Sequence, residues 1–374
     1  MIRICGAVKV SFAAGVALCI AVIVGCATPE LQHLQSSTTS DEGYRAYNEV
    51  IENLSRIPVI RNSNRYYIAL GKGIRAEWAG NYQGAEDAFR EGLTNPSYWQ
   101  GEYGQKAKQT WPPLFRAYIG HALYKQGKVR EALKQLEAAE PSFARLINQI
   151  PRDRHERGAK LFYAYLYKVY GRALERTGEE KRAMKMYQKG FGLGASELNA
   201  DIARLQTTAT STSLAMEEAV HKAEQANRNG HPREALQQYM TALAVSAESF
   251  EGETLDTVMI QKSIEIACKL DPPPAISEEA RRQAIFASTA VKEAKDEQEY
   301  AMAVKEYLKA ISLAPWWADL YINTSLLFEE MGHYANAYSM LKLYLLAAPN
   351  APDADQVKTK LYELEYKANQ EAKK

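Results

Sequence analysis

The chain has 374 residues, with 46 Lys+Arg against 45 Asp+Glu and a formal net charge of +1. A hydrophobic share of 46% and a charged share of 24% are ordinary for a folded protein. They exclude a disordered chain, a polytopic membrane protein and a nucleic-acid binder that works through bulk positive charge. Tyrosine is over-used, with 23 copies against 9 Phe and 5 Trp.

Met1 to Lys9 carries Arg3 and Lys9 and no acid, and Val10 to Val24 is an uncharged apolar run. The run is shorter than the about 20 residues a spanning helix needs. A basic start, a short apolar stretch and small residues at its end read as an export signal. It closes with Ile23-Val24-Gly25-Cys26, which resembles a bacterial lipobox. The resemblance implies that residues 1–25 are a lipoprotein signal peptide cut before Cys26. It also implies that the Cys26 thiol carries diacylglycerol and that the new amino group takes a fatty acid such as palmitate. Several acyl chains anchor firmly where one binds only marginally. Ala27 in place of Asp implies sorting to the outer membrane, with the protein facing the periplasm. Cys5 and Cys19 leave with the signal, so the mature chain keeps Cys26 and Cys268 and needs no disulfide framework. Residues 26–40, the lipidated Cys and a polar Ser/Thr-rich stretch, read as a flexible tether.

A half-motif then recurs along the chain: Gly, an Ala five residues later, and a bulky residue four beyond that. It occurs as Gly80/Ala85/Phe89, Gly127/Ala132/Leu136, Gly178/Ala183/Tyr187, Gly230/Ala235/Tyr239 and Gly332/Ala337/Leu341, and without the Gly as Ala303/Tyr307. Ala303 and Ala337, Tyr300 and Tyr334, and Pro315 and Pro349 are each 34 apart. The sterics explain the pattern. Two antiparallel helices cross closely only where a small residue sits at the contact, and the bulky residue fills the space one turn along. Gly120 and Gly171 supply smallness on the first helices, where a neighbouring repeat is expected to approach. Gly in the turn tolerates positive φ, and Pro ends the second helix. Tyr167, Tyr170, Tyr187, Tyr239 and Tyr307 fall at such packing positions, which accounts for part of the tyrosine excess.

The pattern resembles the tetratricopeptide repeat (TPR), a helix–turn–helix unit of this length. The resemblance implies an all-α, TPR-like superhelix (solenoid) with irregular inserts and a C-terminal capping helix. The expected layout is an N-terminal array over 41–206, a Ser/Thr stretch at 207–213 dividing two subdomains, and a C-terminal array over 214–374. Ala235 and Ala303 are 68 apart, which fits one degenerate repeat. That gap holds an apolar-periodic helix over 254–270, stopped by Asp271-Pro272-Pro273-Pro274. Asp353 to Lys374 reads as a terminal helix with Val357, Leu361 and Leu364 on one face.

Catalytic chemistry is hard to find. The six His (33, 121, 155, 221, 231 and 333) are scattered without metal-ligand spacing, and His221 with Glu224 reads as a solvated pair. Gly71-Lys-Gly73 partly mimics a dinucleotide fingerprint but has no strand before it. Ser339-Met-Leu-Lys342 matches the SxxK element of penicillin-recognising enzymes without its partner motifs. We therefore expect no enzyme, no cofactor and no metal.

What remains is surface. In TPR arrays the first helices line the binding face, which by register holds Tyr165, Lys168, Arg172 and Arg176, with His121 and Lys125 one repeat earlier. This basic stripe reads either as a groove for an acidic peptide, a carboxylate or an anionic polymer, or as a solvated face. The insert from Ser97 through Trp99 and Tyr103 to Trp111 offers aromatics that either anchor a partner or close the side of the array. The combined expectation is an anchored scaffold for envelope proteins, serving secretion, pilus, polysaccharide-export or outer-membrane machinery. The alternative is a direct binder of envelope polysaccharide or peptidoglycan. No nucleic-acid partner is expected.

Overall fold

The computed structural model describes residues 29–57, 65–99, 107–108, 111–150, 152–153, 155–250 and 257–371. The signal segment, Cys26, Tyr103 and residues 254–256 of the expected helix lie outside these. Among the described residues every regular element is a helix. The chain divides into two compact units, Met1–Gln206 and Thr207–Lys374.

Unit 1 opens with α1 (Pro29–Ser36) and α2 (Ser40–Arg56). Helix hairpins follow: α3 (Tyr66–Trp78) with α4 (Tyr82–Thr94), then α5 (Trp111–Lys125) with α6 (Val129–Ala139). The short α7 (Phe143–Asn148) leads to the hairpin of α8 (Glu156–Arg176) with α9 (Glu180–Gly192). The unit boundary falls inside α10 (Leu198–Arg228), at the start of the 207–213 stretch expected to divide two subdomains, and that stretch is helical. TTATSTS holds neither Gly nor Pro, and nothing in it stops a helix already running.

Unit 2 continues with α11 (Pro232–Glu248), α12 (Val258–Ala267), α13 (Glu278–Glu293), α14 (Glu297–Leu313), α15 (Ala318–Glu330), α16 (Tyr334–Ala347) and α17 (Ala354–Glu371). The pairs α13/α14 and α15/α16 are hairpins, and α17 packs on α16. Between Ala235 and Ala303 the described residues hold one extra helix, α12, packed on α11 and α16, and not a complete degenerate hairpin. The other helix there, α13, is the first helix of the Ala303 repeat. On α17, Val357 and Leu364 are buried while Tyr362 and Tyr366 face solvent.

The repeat logic is visible at its small residues. Gly80, Gly127, Gly178, Gly230 and Gly332 close their helices at φ between 73° and 81°, a conformation that costs other residues strain. Where that Gly is missing, Asp296 starts α14 by accepting the Glu299 N–H at 3.0 Å. The alanines Ala85, Ala132, Ala183, Ala235, Ala303 and Ala337 are all fully buried. A Cβ at Gly120 would lie 2.7 Å from Leu136, and one at Gly171 would lie 2.5 Å from Tyr187. Both contacts are to the second helix of the same hairpin, not to a neighbouring repeat as expected. Phe89, Leu136 and Tyr187 each point back across their own pair. The close approach between hairpins falls instead at Gly92 of α4, whose Cβ position is 2.3 Å from the Phe115 ring.

One further expectation is corrected. Residues 29–40 are not a free tether. Leu34 of α1 is fully buried, and its carbonyl oxygen lies 2.1 Å from where a Gly158 Cβ would sit. The Ser/Thr cluster is a helix cap: Thr39 Oγ1 accepts the Glu42 N–H, and the Glu42 carboxylate accepts the N–H groups of Thr38 and Thr39. Of the two roles open to the insert aromatics, closing the side of the array is the one their burial supports. Tyr98, Trp99 and Trp111 are buried, with the Trp99 and Trp111 rings 5.9 and 5.0 Å from that of Tyr66.

Candidate functional site: the first-helix face of unit 1

The residues assigned to the groove split into two sets. Tyr165 and Lys168 on α8 and His121 on α5 are buried, whereas Arg172, Arg176 and Lys125 are exposed. What buries the first set is α2. This helix packs along α8 and α3, and its side chains reach the first helices of all three unit 1 hairpins. The chain therefore lays one of its own helices on the face where the sequence reading expected ligands.

Sequence explains why 40–56 is a helix and which side it buries. Thr39 and Glu42 form a capping box at its start, and Asp41 and Glu42 favour the positive end of the helix dipole. Tyr44, Tyr47, Val50, Ile51 and Leu54 recur at spacings of three and four and are all buried. Gly43 lets the α2 backbone approach α8, since a Cβ there would lie 2.4 Å from that of Leu161.

Polar pairs fix the register along the whole helix. At its start, Ser40 donates from N–H and Oγ to Glu197 Oε1, at 2.8 and 2.5 Å, and Lys168 Nζ donates to Asp41 Oδ2. In the middle, the Tyr44 hydroxyl donates to Glu77 Oε2 at 3.0 Å, and His121 Nδ1 lies 2.8 Å from Glu77 Oε1. Nε2 of the same ring is 3.1 Å from the Tyr165 hydroxyl. The carboxylate can only accept, so Nδ1 carries the proton and Nε2 accepts from Tyr165 when His121 is neutral. Deeper still, the Tyr118 hydroxyl donates to Asn48 Oδ1 at 2.5 Å, and near the end Arg75 Nη1 donates to Glu52 Oε1 at 2.8 Å.

The Tyr44 ring stacks on Tyr165 at 4.2 Å and Tyr47 stacks on Phe162 at 4.1 Å. Burial, reinforced by the nearby Glu77 charge, pushes the Tyr44 and Tyr118 hydroxyls far above the usual phenol range. Tyr165 is raised for the same first reason. These hydroxyls are hydrogen-bond donors at any physiological pH.

The basic stripe is thus divided. Lys168 is spent on Asp41, whose side chain is 58% exposed against 8% for the lysine. Arg176 places its guanidinium 4.5 Å above the Tyr124 ring and, with Arg172 and Lys125, remains at the surface. Asp41, Tyr44, Asn48, Glu52 and Glu77 were missed by sequence reasoning. The capping box and apolar spacing of 39–54 could have exposed the amphipathic helix, though not its seat.

The remaining motifs dissolve into architecture. Ser339 Oγ donates to the Ala335 carbonyl within α16, and Lys342 lies over the Tyr338 ring. Gly71 and Gly73 are inside α3, and Glu224 pairs with Lys262 at 2.8 Å. Among the described residues no cluster of His, Cys, Asp or Glu could hold a metal ion, and no helix is long and apolar enough to cross a membrane.

No family model and no curated protein matches the sequence. Among solved structures the chain is similar to the "TPR2AB-domain:pHSP90-complex of yeast Sti1", with 15% identity, over 82% of this chain and 99% of that one, at a TM-score of 0.30. That likeness carries no argument about a partner. On its own hairpins, with their positive-φ glycines and buried alanines, the chain is an all-α, TPR-like helix array.

Proposed function

We propose that this chain is a membrane-anchored TPR scaffold for protein–protein interactions in the assembly or regulation of a bacterial envelope complex. Secretion, pilus, polysaccharide-export and outer-membrane-biogenesis machines are the candidates. The anchor is Cys26, acylated at the outer membrane with the arrays on the periplasmic side. One observation carries the scaffold reading: the first-helix face of unit 1 holds a protein helix through matched ion pairs, hydrogen bonds and ring stacking. Direct binding of an envelope polymer finds less support, because Trp99, Trp111, Tyr165 and Lys168, which would stack on sugars or pair with anions, are buried.

Crosslinking and affinity capture of tagged full-length protein from native membranes tests the proposal, with Cys26→Ser as control. A stoichiometric envelope protein captured by the wild type and lost in Cys26→Ser is the expected result. Recovery of glycan or peptidoglycan fragments without protein would overturn it in favour of the polymer reading.

A further inference from the structure

One of the occupants open to the basic groove, an acidic peptide, has a counterpart in the chain itself. α2 begins with Asp41 against Lys168, and behind it come Tyr44, Tyr47, Val50, Ile51 and Leu54 on one face. Three features set this contact apart from the packing between hairpins. Each hairpin closes on its own small and bulky residues, such as Gly73 on Phe89 and Gly171 on Tyr187, without α2. By contrast, much of the α2 seat is polar: Arg75, Glu77, Tyr118, His121, Tyr165 and Lys168 meet it or one another through nitrogen and oxygen atoms that water can satisfy once α2 leaves. The seat is also imperfect, since Asn48 Nδ2 is buried without a hydrogen-bond partner. Such contacts suit a surface that exchanges ligands more than a finished core.

We propose that α2 is a displaceable cis ligand that closes the first-helix face of unit 1. The trans partner of that face is an amphipathic protein helix repeating the pattern Asp-x2-Tyr-x2-Tyr-x2-Val-Ile-x2-Leu. The acid pairs with Lys168, the first aromatic enters the Glu77–His121–Tyr165 cluster, and the aliphatic end lies over α3. Partner and α2 compete for the same atoms. The tethered helix has the advantage of high effective concentration, so the face opens only to a partner presented locally or when α2 is loosened. The inference shares with the proposed function only the premise that this face takes protein helices. Purified protein tests it without any envelope partner, so the two can fail separately.

Hydrogen exchange of the wild-type mature chain is the first test. Amides of residues 44–54 should exchange about 30-fold faster than those of α5 and α8, through an opening that leaves the hairpins folded. Excess synthetic peptide of residues 39–56 should speed them further. The second test is binding of that peptide, fluorescently labelled, to Asp41→Lys/Tyr44→Ala and to wild type. The variant should bind about 30-fold more tightly, within the range usual for coupled sites, and a peptide carrying the same two changes should not bind. Exchange of α2 in step with α5 and α8 would overturn the proposal. So would equal peptide affinity in variant and wild type, or a variant that cannot fold, since the hairpins would then need α2.

Discussion

Replacing Tyr44 by Phe removes one oxygen and leaves the ring stacked on Tyr165 and Phe162. The hydroxyl lost is the one that donates to Glu77 Oε2 at 3.0 Å, in a site where the Glu77 side chain is 5% exposed. Glu77 keeps the His121 contact at 2.8 Å, so the carboxylate is weakened in its solvation and not stripped of it. A hydrogen bond to a charged group is worth about 1.5–3 kcal/mol, and about 2 kcal/mol is expected here. At 1.4 kcal/mol per factor of ten, that is an exchange rate about 30-fold higher for α2 amides. Tyr362→Phe, at a residue 68% exposed, is the control and should move stability by less than about 0.5 kcal/mol. Native-state hydrogen exchange reads both variants residue by residue, and a double-mutant cycle with Glu77→Gln isolates the pair. A change in α2 exchange of less than about threefold in Tyr44→Phe, or no coupling to Glu77, would refute the account of how α2 is held.

Further outcomes follow from the same geometry. Hydrogen bonds from the Thr38 N–H and hydroxyl, and then from the Thr39 N–H, hold the Glu42 carboxyl below its ordinary value of 4.5. The folded value is the depressed one, so the cap is fully present above pH 4.5 and is lost as pH falls through the folded value. Protection of the first-turn amides of α2, measured against their intrinsic exchange rates, should fall below pH 4.5, and Glu42→Gln should abolish that pH dependence. Gly171→Ala drives a methyl into the Tyr187 ring and should cost about 1–3 kcal/mol in urea unfolding. Gly192→Ala, at an exposed helical position with open space around it, should instead stabilise by about 0.5–1 kcal/mol. Equal effects of the two would refute the packing argument. Metabolic labelling with an alkyne fatty acid should mark the wild type and not Cys26→Ser; equal labelling of both would remove the anchor from the proposed function.

How much the sequence revealed follows from the range of each interaction. The hairpins were legible because their determinants are local. A Gly at positive φ, an Ala five residues on and a bulky residue four beyond act within one short stretch of chain, and the structure places all six alanines in the core. The partner of Gly120 and Gly171 was misjudged because the register gives a face and not a direction across it. The Ser/Thr stretch at 29–40 was misread because composition alone does not distinguish a linker from a helix cap, whereas the one at 207–213 marked the division between the units but not that a continuing helix carries it.

By itself, then, the sequence determined that this protein is a stack of helix pairs and which faces its first helices present. Only the tertiary structure decided what those faces meet. Asp41 and Lys168 are 127 residues apart, Tyr44 and His121 are 77 apart, and Tyr118 and Asn48 are 70 apart. No local propensity couples such positions. They meet because α2 has an apolar stripe to bury and the first-helix face has charges to neutralise, a match that exists only once the hairpins have stacked.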